Sequence, residues 1–106
     1  MEPTVYFEIG KTVLSPMEMK HLDFIAKNLV EKAENETQIV IIVMGTADSN
    51  TGTNQRNEYL SNARGQYIYD ILTKNYGISP ERLEVQSEVI QATENPAYDR
   101  AVRIVF

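Results

Sequence analysis

The longest apolar run in the chain is Ile39-Val-Ile-Ile-Val-Met44. It is strand length and far short of the 18 or more apolar residues that a membrane-crossing helix needs. Its first five residues carry no polar alternation, so the strand they form is central and covered on both faces, or at least deeply buried. Polar punctuation flanks it. Asn35-Glu-Thr37 reads as a turn, and Gly45 to Asn54, rich in Thr, Asn, Asp and Gly, reads as the longest polar loop.

The remaining elements arrange themselves around that strand. Val5-Tyr-Phe-Glu-Ile9, ended by Gly10, is a short β-branched and aromatic strand. Ser15-Pro16-Met17-Glu18 starts a helix: a Ser cap, Pro at the first helical position and Glu three residues after the cap. Leu22, Ile25, Leu29 and Val30 give it one apolar face to about Ala33. A second helix is expected from about Thr53 to Asn75, with Leu60, Ala63, Tyr67, Ile71 and Leu72 inward and Gly77 as its stop. Ser79-Pro-Glu-Arg82 is a short capped turn. Leu83, Val85, Ser87 and Val89 alternate as one strand, Gln91 to Asp99 is a loop, and Val102, Ile104 and Phe106 line the inward face of a last strand. The predicted order is βαβαββ. At this length the simplest answer is an α/β (α+β) two-layer sandwich, a mixed sheet with the helices packed on one face.

Composition removes whole classes of function. The chain has 106 residues, enough for one domain, with no repeat or linker dividing it. Fifteen acidic residues against ten basic give a formal net charge of −5, which repels nucleic acid and anionic membrane at long range. With no cysteine and the single histidine His21, disulfide scaffolds, thiol catalysis and most metal centres are excluded; no metal or cofactor is expected. His21 reads as a surface or boundary residue. The glycines do not make a phosphate loop, the six tyrosines are scattered, and nothing resembles a nucleophile with its base, so no catalysis is expected. The first residues show no signal peptide. That fits a cytosolic protein or a domain excised from a larger exported chain.

Ligands in such folds gather beyond strand ends, in loops that feed helices. Asp48 is the only charged residue of the Gly45–Asn54 loop, and Arg64 follows on the second helix, flanking its buried face. Such a pair suits a zwitterion: Asp48 accepts from an ammonium, and Arg64 offers a planar fork to a carboxylate. On charge and spacing alone, the simpler reading is that the two merely pair with each other, or that Asp48 caps the loop.

The motifs go further. Gly45-x-x-Asp48, then Thr51-Gly52, then Asn57-x-x-Leu60-Ser61-x-x-Arg64 resembles the signature of the OmpA-like C-terminal, peptidoglycan-associating domain. Val5-x-Phe7-Glu8-x-Gly10-Lys11-x-x-Leu14 looks like that family's first strand, Gly77-Ile78 with Pro80-Glu-Arg-Leu83 like its segment after the second helix, and Asp99-Arg100-Ala101-Val102 like its terminal motif. The likeness runs from about residue 4 to 106. It departs in one extra residue between Asp48 and Gly52, in Gly65 where Ala is usual, and in Ala101 where a second Arg is usual. Gly65 is expected to cost roughly 1 kcal/mol of helix propensity.

This resemblance implies a non-catalytic module that binds the diaminopimelate of the peptidoglycan stem peptide, Asp48 holding its ammonium and Arg64 its carboxylate. Asn57, Thr51, Gly52 and Arg100 are the implied supporting residues. It implies one domain over residues 1–106, a piece of a longer periplasmic, outer-membrane-associated protein of a Gram-negative bacterium that anchors that protein to the cell wall; any contact with membrane lies in the rest of that parent chain. The competing expectation, motivated by the loop insertion and Gly65, is a degenerate module that serves in protein–protein interaction or assembly.

Overall fold

The computed structural model describes residues 3–36, 39–48, 53–90 and 100–106, and for Asp48 the backbone. The elements are β1 (Thr4–Tyr6), α1 (Pro16–Asn35), β2 (Ile41–Asp48), α2 (Asn54–Lys74), a 3₁₀ turn (Pro80–Arg82), β3 (Leu83–Ile90) and β4 (Ala101–Val105). Their order is the βαβαββ expected. The strands form one sheet in the order β1-β4-β2-β3. β4 is antiparallel to both β1 and β2, while β3 is parallel to β2. Because β4 runs against both neighbours, β1 and β2 are parallel to each other with β4 inserted between them. The sheet is therefore mixed, with α2 crossing over from β2 to its parallel neighbour β3.

Both helices cover the same face. Val5, Ile41, Val43, Val102 and Ile104 of the sheet join Leu22, Ile25 and Leu29 of α1 and Ile68 and Leu72 of α2 in a single core. Each fully buried Leu or Ile contributes about 1.5–3 kcal/mol relative to exposure. The expectation that the Ile39–Val43 run is covered on both sides fails on the second side. Ile42 and Met44 point away from the helices and are half-buried, and Val40 is exposed. Among the described residues, no helix is long and apolar enough to cross a membrane.

Element ends differ from the sequence expectation for local reasons. β1 stops at Tyr6, and Ile9 is exposed beside Gly10, whose φ of 70° turns the chain. β2 starts two residues later than expected and runs on through Gly45 to Asp48, because β3 offers it ladder partners as far as the Asp48–Ile90 pair. Those four residues belong to a strand and not to the polar loop. α1 continues to Asn35, through the first residue of the expected turn, and Thr37 lies outside the described residues. Phe106 follows the last strand and stays 43% exposed, with Lys32 Nζ 5.3 Å from its ring, so it is not part of the inward face. On β3, Leu83 is buried, Val85 and Val89 are half-buried, and Ser87 is exposed.

Caps and ties fix the helices. Ser15 Oγ accepts from Glu18 N at 3.3 Å, as its cap position predicts. The Glu18 carboxylate does not return to the cap; it accepts from Tyr6 N and lies 3.2 Å from exposed His21, so it ties α1 to β1. Gly77, with φ 69°, ends α2, and Ile78 N donates back to Leu72 O across six residues. Arg82 donates to the carbonyls of Ala33, Glu36 and Ile39, satisfying the open end of α1 with a cation. Ser79 precedes the 3₁₀ turn but makes no side-chain cap bond. Tyr76 Oη donates to Asp23 Oδ1 at 2.6 Å, joining the end of α2 to α1. Burial, helped by that bond, pushes the Tyr76 phenol up to about 12.

α2 lies unusually close to β2. A Cβ on Gly45 would sit 2.0 Å from Ser61 O and 2.9 Å from Gly65 N, both backbone atoms. A Cβ on Gly65 would sit 3.1 Å from Val85 Cγ1 and 3.5 Å from Gly45 N. The glycine that departs from the usual sequence is thus one half of a close helix–strand contact, which sets its helix-propensity cost against packing.

Two stability predictions follow. Gly45→Ala destabilises by about 1–3 kcal/mol or more, since only backbone can move aside. Gly65→Ala stays within about 1 kcal/mol of wild type, because a rotatable side chain gives way and helix propensity improves. Urea unfolding of both variants checks this; equal losses would refute the packing argument. Separately, a phenol kept neutral to about 12 supports the fold fully below its ordinary value near 10 and loses that support as pH rises to about 12. Tyr76→Phe is therefore expected to show a shallower loss of stability between pH 10 and 12 than wild type.

Candidate functional site

The buried stripe of α2 is not the apolar one that hydropathy picks out. Asn57, Leu60, Ser61, Arg64, Gly65, Ile68 and Leu72 are buried, whereas Ala63, Tyr67 and Ile71 are half-buried at its margin. Arg64 lies at the centre of this face, 1% exposed, and does not flank it. The small residues Ser61 and Gly65 let the helix settle on β2, and that approach carries Arg64 into the interior.

The guanidinium is held on three sides. Nε donates to Lys11 O at 3.0 Å, Nη1 donates to Thr46 O at 3.0 Å, and the group lies 5.5 Å from the centre of the Phe7 ring. Carbonyl dipoles and an aromatic face soften the burial of the charge but do not neutralise it. Nη2 is buried with no hydrogen-bond partner among the described residues. Burial, with the charges of Arg100 and Arg56 adding to it, pulls the Arg64 guanidinium down to about 10. A buried cation with a spare donor, crowded by two other cations, favours an incoming anion.

Thr46 joins this centre to β4. Its hydroxyl donates to Ala101 O and accepts from Ala101 N, both at 3.2 Å, at the end of the β2–β4 ladder. Arg100, which precedes Ala101, has its carbonyl bound by Phe7 N at 2.7 Å and carries a buried Nε that also lacks a partner among the described residues.

The expected site residues are thus partly brought together. Arg64 binds the carbonyl two residues before Asp48, and the Asp48 backbone ends β2 opposite Ile90. Arg100 reaches the same strand end through Ala101. Asn57 is buried on the Arg64 face of α2, with its N–H on Thr53 O at 3.0 Å, as its first-turn position suggests. Thr51, Gly52, the loop insertion and the segment Gln91–Asp99 lie outside the described residues. Sequence reasoning missed Thr46, Phe7, Lys11 and Arg56. The pair Ser61 and Gly65, four apart on one helix and opposite Gly45, was the available signal for the close approach.

The comparisons with known proteins agree with this architecture. A family model described as the OmpA family matches residues 6–103. Outer membrane protein 41 of Porphyromonas gingivalis is 37% identical over 79 residues, which are 71% of this chain and 20% of that protein. This chain therefore spans a fifth of that relative's length. Among solved structures, the C-terminal domain of Helicobacter pylori MotB superposes with a TM-score of 0.77 at 22% identity, covering 96% of this chain and 81% of that one. The peptidoglycan-associated lipoprotein of Burkholderia pseudomallei gives 0.76 at 20% identity, covering 97% and 88%. On the strength of a match that takes in nearly all of its residues, the chain belongs to the OmpA family.

Proposed function

We propose that this chain is a non-catalytic binding module that holds peptidoglycan through the diaminopimelate of its stem peptide, with Asp48 taking the ammonium and Arg64 the carboxylate. The observation that carries this reading is Arg64 itself: buried, tied to two carbonyls, and left with Nη2 unpartnered beside the strand end that Asp48 closes. A donor fixed in that way is already oriented for a carboxylate and loses little freedom on binding one. No bond is made or broken, since two fixed charges recognise two others.

The names of the relatives support the setting. One structural neighbour is a peptidoglycan-associated lipoprotein, and the sequence relative is an outer membrane protein. We place the chain in the periplasm as the wall-binding domain of a longer outer-membrane-associated protein. Gly65, one motive for a degenerate assembly module, is accounted for by its contact with β2.

Calorimetric titration with meso-diaminopimelate and pulldown on purified sacculi test the proposal. Asp48→Asn and Arg64→Lys are each expected to weaken binding by about tenfold or more, as loss of a charged hydrogen bond implies. Wild type that binds neither probe, or variants that bind as well as wild type, would overturn it.

A further inference from the structure

Two guanidinium groups, not one, end in this region with a nitrogen unaccounted for. Arg64 Nη2 and Arg100 Nε are both buried, and neither has an acceptor among the described residues. The same two residues hold the Arg64 guanidinium and the backbone at Arg100. Phe7 sets its ring against the Arg64 guanidinium and its N–H on the Arg100 carbonyl. Thr46 accepts from Arg64 through its carbonyl and clasps Ala101, next to Arg100, through its hydroxyl. This short frame ties the Arg64 guanidinium to the backbone that carries Arg100, and the repulsion between the two charges is part of the lowered proton affinity of Arg64. Buried charged donors without acceptors are costly, so a pair of them held by one frame marks a place built to receive more than one anionic group.

A carboxylate oxygen on the open side of Arg64 satisfies Nη2, and Arg100 Nε needs an acceptor of its own. We propose that Arg64 and Arg100 read two separate carboxylates of one ligand, so that the site prefers stem peptides in which diaminopimelate is the carboxy-terminal residue. The distal, amino-bearing centre gives its carboxylate to Arg64, and the free main-chain carboxylate goes to Arg100. When a further residue is joined there, that carboxylate becomes a neutral amide and Arg100 loses its partner. This inference rests on the diaminopimelate reading above and adds a specificity within it, for the free end of the stem over its extended form.

The test uses two ligands that share the distal zwitterion: the tripeptide L-alanyl-γ-D-glutamyl-meso-diaminopimelate and its carboxy-terminal amide. Wild type is expected to bind the acid about tenfold more tightly than the amide, the worth of one charged hydrogen bond. Arg100→Gln is expected to bring that ratio to about one. Arg100→Lys, which keeps the charge without the Nε donor, is expected to give a ratio between the two. The wild-type ratio needs no variant, and circular dichroism shows whether each variant is folded. Equal binding of acid and amide by wild type overturns this inference and leaves the diaminopimelate reading standing. A tenfold ratio that persists in folded Arg100→Gln overturns it as well, because the second carboxylate is then read elsewhere. If wild type binds neither tripeptide, both readings fall together.

Discussion

Where α2 crosses β2 there is no room for a side chain on the strand. The Ser61 carbonyl would lie 2.0 Å from a Cβ at Gly45, and Gly65 completes the contact from the helix side. Such an approach shortens the distance between helix axis and sheet, and the residues around it must follow. Arg64, one position before Gly65, is drawn off the surface and under the end of β2. Only there does its guanidinium meet the carbonyls of Thr46 and Lys11 and the ring of Phe7, three groups from two distant parts of the chain. The close contact and the buried cation are consequences of each other: a bulkier helix face would hold Arg64 out in water, where it would be neither oriented nor dry.

Burying that charge without a described carboxylate beside it is a cost the fold accepts at one place. A long cation is ordinarily buried only when paired. Here two carbonyls and an aromatic face give partial compensation, while Arg100 and Arg56 work against it. Apart from Arg100 Nε, the other buried side-chain donors and acceptors of the described residues find partners. Arg82, by contrast, has three backbone carbonyls around its guanidinium, closes the end of α1, and is left with no comparable tension. Two arginines of one chain thus show a structural and a poised use of the same group, separated by whether every buried donor finds an acceptor.

The fold was largely legible because helices and strands alternate with clear punctuation, and βαβαββ at this length leaves few arrangements. The misreadings that bear on the site, in α2 and at the end of β2, share one cause. Hydropathy assigns Ala63, Tyr67 and Ile71 to the inward face of α2, yet Asn57, Ser61, Arg64 and Gly65 hold it, and none of these is apolar enough to register. The continuation of β2 past Gly45 was hidden in the same way, since Gly-Thr-Ala-Asp reads as loop until β3 is seen to pair with it. Asp48 and Arg64 were legible as a motif. The frame that holds Arg64 was not, because Thr46 acts through a partner 55 residues away and Lys11 acts through its backbone. Contacts made by carbonyls leave no mark on residue type.

Net charge takes on a different meaning once the cations are located. A chain of −5 repels an anionic polymer at a distance, but that repulsion fades over about 8–10 Å at moderate ionic strength. Arg64 and Arg100 carry buried nitrogens with no partner among the described residues, and an opposite charge reaching them there is screened far less. On the proposed reading, the net negative charge discourages indiscriminate adhesion, and a ligand gains from the buried cations only by reaching the strand end. A basic surface would have given stronger attraction and poorer choice; enclosing the positive charge while leaving the exterior negative makes attraction depend on entry.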